Sequence, residues 1–327
     1  MFFKKEKKKL ILLLKLKIKL YLCNQVLMCD TIIRMDKIFS GTGVALVTPF
    51  KQDFSIDIDK IDILVNRLIQ NGIDYIVALG TTAETPTLSF AERKLVLNTI
   101  IESVNNRVPI VAGIGCSNPI EIYEQIHFFD LSKVSAILSV TPYYNRPQQR
   151  GLIAHYEVIA AKSPLPVILY NVPSRTGVNM DAETTLEIAK KVPNVIGIKE
   201  ASGNFTQIMH IIQHKPEDFL VISGDDAVTF PLLACGADGV ISTTANAFPN
   251  DFSTMVRLAL QGDYRQAKAY HYKLLPCMSA CFQDGSPSGV KAFLQALGLI
   301  DDFVRLPLVA VNEKTNARIR ELVKNMT

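Results

Sequence analysis

This chain lacks long uninterrupted apolar runs, closely paired metal-type cysteines and a charged body, and each absence removes a class of function. None of its six cysteines stands in C-x-x-C spacing with another, which excludes a zinc ribbon or a dithiol redox motif. Reduced, mostly buried thiols in a cytoplasm account for Cys23, Cys29, Cys116, Cys235, Cys277 and Cys281. His210 and His214 are spaced i, i+4, yet no third ligand or adjacent Glu accompanies them, so they read as an exposed helix face and no metal is expected. The net charge of +4 comes largely from the first twenty residues. The rest is near neutral and carries no basic footprint for nucleic acid. No apolar stretch approaches the roughly 20 residues of a membrane span.

The first 35 residues read as a basic extension, either disordered or lying upstream of a true start at Met35. A secretory signal needs an unbroken apolar stretch of roughly 7–15 residues and a small-residue cleavage site. Here 10-LILLL-14 runs into the alternating 15-KLKIKLYL-22, and bulky Leu22 before Cys23 argues against lipid attachment. A basic stretch lying on an anionic membrane surface is the less favoured alternative.

What the chain does contain is a large apolar fraction, 48%, enough to bury a large core. Eight short runs rich in β-branched residues recur, each closed by Gly, Pro, Asn or a polar residue: 43-GVALVTP-49, 73-IDYIVALG-80, 108-VPIVAGIG-115, 135-SAILSVTP-142, 166-PVILYN-171, 195-VIGIKE-200, 219-FLVISG-224 and 239-GVISTTAN-246. They are apolar on both faces, as parallel strands covered by helices must be. Between them lie helix-period segments such as 57-DIDKIDILVNRLIQNG-72, 89-SFAERKLVLNTIIESV-104 and 181-DAETTLEIAKKV-192, which open on Asp or Ser caps.

Eight such units predict a (β/α)8 TIM barrel over residues 36–262. A helical C-terminal region follows over 263–327, with the Ser286-Pro287 pair as a helix start. A doubly wound sheet is the runner-up. It is disfavoured because 41-GTGVAL-46 precedes a strand and lacks a third glycine.

In such barrels chemistry gathers where strands end. The residues closing the runs include Thr81, Thr82, Tyr143, Tyr144, Tyr170, Lys199 and Gly224. A lysine within apolar strand residues is disfavoured as an ammonium, and the neutral amine is the nucleophile that a Schiff base with a ketone requires. A strand-end lysine snorkelling to water is the bland alternative for Lys199. Hydroxyls from Tyr170, Thr81 and Tyr144 at the same mouth supply a metal-free proton relay and weigh against it. Glu200, one residue on, faces the helices and reads as structural.

Taken together, 80-GTTAETPTL-88, 139-SVTPYYNRP-147, 169-LYNVPSRTG-177, 197-GIKEASGN-204, 223-SGDD-226 and 239-GVISTTAN-246 resemble, in order and spacing, the class I pyruvate-dependent aldolases related to dihydrodipicolinate synthase. The resemblance runs from about Phe39 to the C-terminus. It implies that Lys199 forms the Schiff base with pyruvate, that Tyr170 is the general acid/base, and that Thr81 and Tyr144 complete the relay. By the same resemblance Thr82 holds the pyruvate carboxylate, and the Ile241 carbonyl and Gly224 line the site.

Arg175 would pair the carboxylate of L-aspartate 4-semialdehyde, which separates the synthase reading from an N-acetylneuraminate lyase. No cofactor is implied beyond the covalent Schiff base. Tyr144 would reach a neighbouring subunit's site, so a homo-oligomer is implied, with a tetramer of two dimers as the usual assembly. Ala83 departs from the family's usual Gly. At the family's lysine feedback site, Tyr143 and Glu121 match, whereas Ser117, Phe90 and Arg93 depart, which leaves inhibition by lysine open.

Three readings from other classes compete: a phosphate-binding barrel, from 236-GADGVIS-242, a catalytically silent barrel used for binding or regulation, and a membrane-anchored protein.

Overall fold

The computed structural model describes residues 38–326. The expectations for residues 1–35, and for Cys23 and Cys29, lie outside the described residues. Eight strands, β1 (Gly41–Ala45), β2 (Tyr75–Ala78), β3 (Ile110–Gly113), β4 (Ala136–Val140), β5 (Val167–Asn171), β6 (Val195–Glu200), β7 (Leu220–Ser223) and β8 (Gly239–Ser242), pair in sequence order into a closed barrel. Every pairing is parallel, and β8 returns to β1 with Gly41 opposite Gly239. Nearly all their residues are buried because helices cover the outside and side chains fill the inside.

All eight predicted runs contain a strand, with two boundaries moved by long-range contacts. The first strand begins at Gly41, so 41-GTGVAL-46 lies largely within it. Beyond Ala45 the chain leaves the sheet, and Thr48 donates its hydroxyl to the Ala83 carbonyl at 2.8 Å. The last strand stops at Ser242 because the Thr243 and Thr244 amides turn to the buried Asp226 carboxylate, at 3.2 and 2.7 Å. Gly236 and Asp238 enter β8 from the end away from the cavity, which places the phosphate-type loop on the wrong face of the barrel.

The helices that follow the strands are α1 (Ile58–Gln70), α2 (Phe90–Val104), α3 (Pro119–Phe128), α4 (Gln149–Lys162), the single turn α5 (Pro173–Thr176), α6 (Ala182–Lys191), α7 (Phe205–His214), α8 (Asp226–Ala234) and α9 (Pro249–Leu260). Three more follow: α10 (Tyr264–Gln283), α11 (Ser288–Ala296) and α12 (Glu313–Met326).

Local signals explain the starts. Asp57 caps α1, and Ser89 with Glu92 forms a reciprocal capping box on α2. Asp181 stands in the cap position of α6, but its carboxylate accepts from Asn179 at 2.9 Å instead of from the helix. Pro287 is the residue just before α11, not the first within it.

Among the described residues no helix is long and apolar enough to cross a membrane. The histidines at 210 and 214 stack at 4.3 Å between ring centroids, with His210 3.6 Å from Glu183, and no metal-holding group of three or more His, Cys, Asp or Glu occurs among those residues. The four described cysteines are free thiols, and only Cys235 is exposed.

Candidate active site

At the C-terminal ends of the strands lies a cavity of about 450 Å³ whose wall includes Lys199, Tyr170, Thr81, Arg175 and Tyr143. Parallel pairing sets Tyr170 directly opposite Lys199 and Asn171 opposite Glu200. Lys199 is only 6% exposed, and its Nζ lies 4.4 Å from the centre of the Tyr170 ring. Among the described residues Lys199 forms no ion pair.

Alternation along β6 turns Glu200 outward, as its neighbour faces in. There it is buried and accepts from Asn171 Nδ2 at 3.1 Å, the Ser202 amide at 2.8 Å and Gln207 Nε2 at 3.1 Å. Burial pushes its carboxyl above the usual carboxylate range, against the opposing pull of those donors. The Glu200–Asn171 contact ties together the two strand ends that carry Lys199 and Tyr170.

The remaining predicted site residues are placed as follows. Thr81 opens a 3-10 turn, Thr81–Ala83, directly above β2, and Arg175 lies on α5 just past β5. Thr82, in the same turn, is buried with its hydroxyl 3.4 Å from that of Thr243. Gly224 follows β7 and packs on the lysine stem: a Cβ there would come within 3.1 Å of Lys199 Cε and 2.7 Å of Ala201 Cβ. Ile241 is a buried residue of β8 opposite Gly43. Thr82, Gly224 and Ile241 are not among the residues that line the cavity. Tyr144 departs from the group: it is 93% exposed, in left-handed backbone with φ 73°, and outside the cavity wall.

Three of the residues matched to a feedback site, Glu121, Phe90 and Arg93, line the same cavity with Tyr143. Arg93 lies over the Phe90 ring at 5.1 Å and donates from Nε to the Leu88 carbonyl at 3.0 Å. Ser117 bonds through its hydroxyl to the Tyr143 backbone. Cys116, also in the wall, has its thiol pushed up chiefly by burial, which makes it a poor nucleophile.

Sequence reasoning missed the groups that hold the turn from behind. Glu84 and Lys291 are fully buried and paired at 2.5 Å. Lys291 lies over the Phe50 ring at 4.2 Å and donates to the Phe303 carbonyl at 2.8 Å. Burial pushes the Lys291 amine down to about 8, opposed by Glu84. A charge inside the apolar segment 287-PSGVKAFLQALG-298 was the available signal, the same kind that singles out Lys199.

The family model described as the dihydrodipicolinate synthetase family matches residues 38–326. A curated protein from Flavobacterium psychrophilum, named 4-hydroxy-tetrahydrodipicolinate synthase, is 50% identical over 289 residues, covering 88% of this chain and 99% of the relative. The solved dihydrodipicolinate synthase from Acinetobacter baumannii, described as chloride inhibited and complexed with pyruvate, superposes with a TM-score of 0.85. It is 39% identical and covers 88% of this chain and 98% of its own. A structure described as the first monomeric dihydrodipicolinate synthase variant gives a TM-score of 0.86 at 37% identity, covering 88% of this chain and 97% of its own.

Proposed function

This chain belongs to the dihydrodipicolinate synthetase family, and on that premise we propose how its residues condense pyruvate with L-aspartate 4-semialdehyde to 4-hydroxy-tetrahydrodipicolinate. It is a lyase of the class I aldolase type, acting in the synthesis of lysine and diaminopimelate. The N-acetylneuraminate lyase alternative is not favoured, since the matching relatives carry the synthase name.

The observation that carries the residue assignments is the buried, ion-pair-free Lys199 amine facing Tyr170 inside the cavity. The amine adds to the C2 carbonyl of pyruvate, and the carbinolamine loses water to give an imine. Loss of a C3 proton makes the enamine, whose C3 forms the new bond to the aldehyde carbon of the semialdehyde. Attack by the semialdehyde's own amino group on C2 then closes the ring and releases Lys199, so one water leaves over the cycle.

Each of those steps moves a proton, and Tyr170, paired opposite Lys199, accepts and returns it, a role its register supports. Thr81, in the same wall, hands it on. Tyr144, exposed on its own chain, completes the relay in the site of a neighbouring subunit, which makes the working unit a homo-oligomer, a tetramer of two dimers. Thr82 holds the pyruvate carboxylate, with Gly224 and the Ile241 carbonyl against the bound pyruvate. Arg175 offers a bidentate fork to the carboxylate of the semialdehyde. The lysine itself serves as electron sink, so no separate cofactor is needed, and both substrates are metabolites of the cytoplasm.

Incubation with pyruvate and borohydride, followed by intact mass and peptide mapping, tests the scheme. A reduced adduct on Lys199 is expected. A folded protein with no adduct would leave only the silent-barrel reading.

A further inference from the structure

The turn that carries Thr81 and Thr82 is a single 3-10 turn, held locally by the Ala83 and Glu84 amides donating to the Gly80 and Thr81 carbonyls at 3.1 Å each. It ends at Glu84, which is fully buried and in left-handed backbone with φ 56°. A non-glycine residue in that conformation persists only where its surroundings compel it. Both carboxylate oxygens of Glu84 are engaged from the C-terminal region. Oε1 accepts from Lys291 Nζ on α11 at 2.5 Å, and Oε2 accepts from the Arg305 amide at 2.9 Å. Arg305 also reaches past Glu84 to the next 3-10 turn, Thr85–Thr87, donating to the Thr87 carbonyl at 3.1 Å. The segment beyond the barrel thus grips a loop of the barrel mouth through one buried charge pair.

Such a pair is weak grounds for stability, because desolvation of two charges offsets much of their attraction. What it provides is position, since a charge buried on each side tolerates little displacement. We infer that Glu84 and Lys291 are positioning residues for pyruvate binding, through which the C-terminal region sets the place of the Thr81–Thr82 turn against Lys199. The inference rests on the proposed role of Thr82 toward the pyruvate carboxylate.

The test compares wild type, Glu84→Gln, and the double variant Glu84→Gln with Lys291→Met, which removes both charges together. The Lys291 amine, already pushed down to about 8, can shed its proton once Glu84 is neutral, so the single variant need not strand a buried charge. Borohydride trapping is titrated with pyruvate, and initial rates are split into kcat and both KM values, with thermal unfolding run alongside. Pyruvate half-saturation is expected to rise roughly 10-fold to 100-fold, as misplacement of a binding group by about an ångström does. The KM for the semialdehyde should move much less.

Folded variants with wild-type pyruvate half-saturation would overturn the inference, whatever their melting temperature. Absence of a wild-type adduct would instead overturn the Schiff-base reading beneath it. Should neither variant fold, hydrogen exchange on the native enzyme decides. Pyruvate should slow exchange of the Arg305 amide by linkage, and an unchanged rate would refute the coupling.

Discussion

Lys199 and Lys291 are both buried lysines lying over an aromatic ring, at 4.4 Å from Tyr170 and 4.2 Å from Phe50. Around Lys291 the ammonium finds a carboxylate at 2.5 Å and a carbonyl at 2.8 Å, and it takes no part in the wall of the cavity that holds Lys199. Around Lys199 there is an open cavity and, among the described residues, no ion-pair partner. Two side chains of the same chemistry are thereby given opposite tasks. Satisfied hydrogen bonds and a counter-charge make a lysine part of the scaffold, while an open cavity beside an amine that forms no ion pair among the described residues leaves it able to meet a substrate, which is the basis of the role proposed for Lys199.

Exchanging the two residues for neutral ones should separate activity from stability. Lys199→Ala should abolish turnover and the trapped adduct while leaving the melting temperature near that of wild type. Lys291→Ala leaves the Glu84 carboxylate buried without its partner and should cost about 3–5 kcal/mol of stability by denaturant unfolding. Near-normal turnover in the first variant, or an undiminished unfolding midpoint in the second, would erase the contrast.

A smaller effect is expected from crowding the reactive lysine without touching its charge. Gly224→Ala places a methyl group within 3.1 Å of Lys199 Cε and 2.7 Å of Ala201 Cβ. It should lower kcat by roughly 10-fold to 100-fold through displacement of the amine. An unchanged kcat would mean that the stem has room to move. Arg175→Gln should raise the KM for the semialdehyde by about tenfold or more, the worth of a lost charge-assisted contact, with pyruvate trapping unaffected. Impaired trapping would reassign Arg175 to the first substrate.

The smallest effect concerns a buried side chain far from either lysine in role. His155, on α4, is held down to about 4 by burial, against an ordinary value of 6.5. Its folded-state affinity for protons is the weaker one, so between pH 6.5 and about 4 the unfolded chain binds the proton more readily. Stability should therefore fall as pH drops through that window and level off below it. Melting temperatures across the range should show this slope, flattened in His155→Gln; an identical slope in the variant would place the acid sensitivity elsewhere.

Much of the architecture was legible because it is written in local pattern. Apolar runs too short for helices, separated by segments of helical period, allow few arrangements other than alternating parallel strands and helices. The boundaries that slipped, at Ala45 and Ser242, are those decided by partners distant in the chain, Ala83 for Thr48 and Asp226 for Thr244. The Asp181 cap was misread for a local reason, since Asn179, two residues before it, competes for its carboxylate.

The site divides in the same way. Lys199 stood out because a charge closing a buried strand is costly anywhere, and its register with Tyr170 follows from strand pairing. Glu84 and Lys291 drew no reading from the sequence, since neither closes a buried strand. Composition and periodicity determined the barrel and its open end and singled out Lys199 as the candidate amine, because burial of apolar strands bears on all three. Only the tertiary structure decided which lysine was paired and which was free, since 207 residues separate Glu84 from Lys291. A counter-charge acts over a few ångströms of space whatever the distance along the chain.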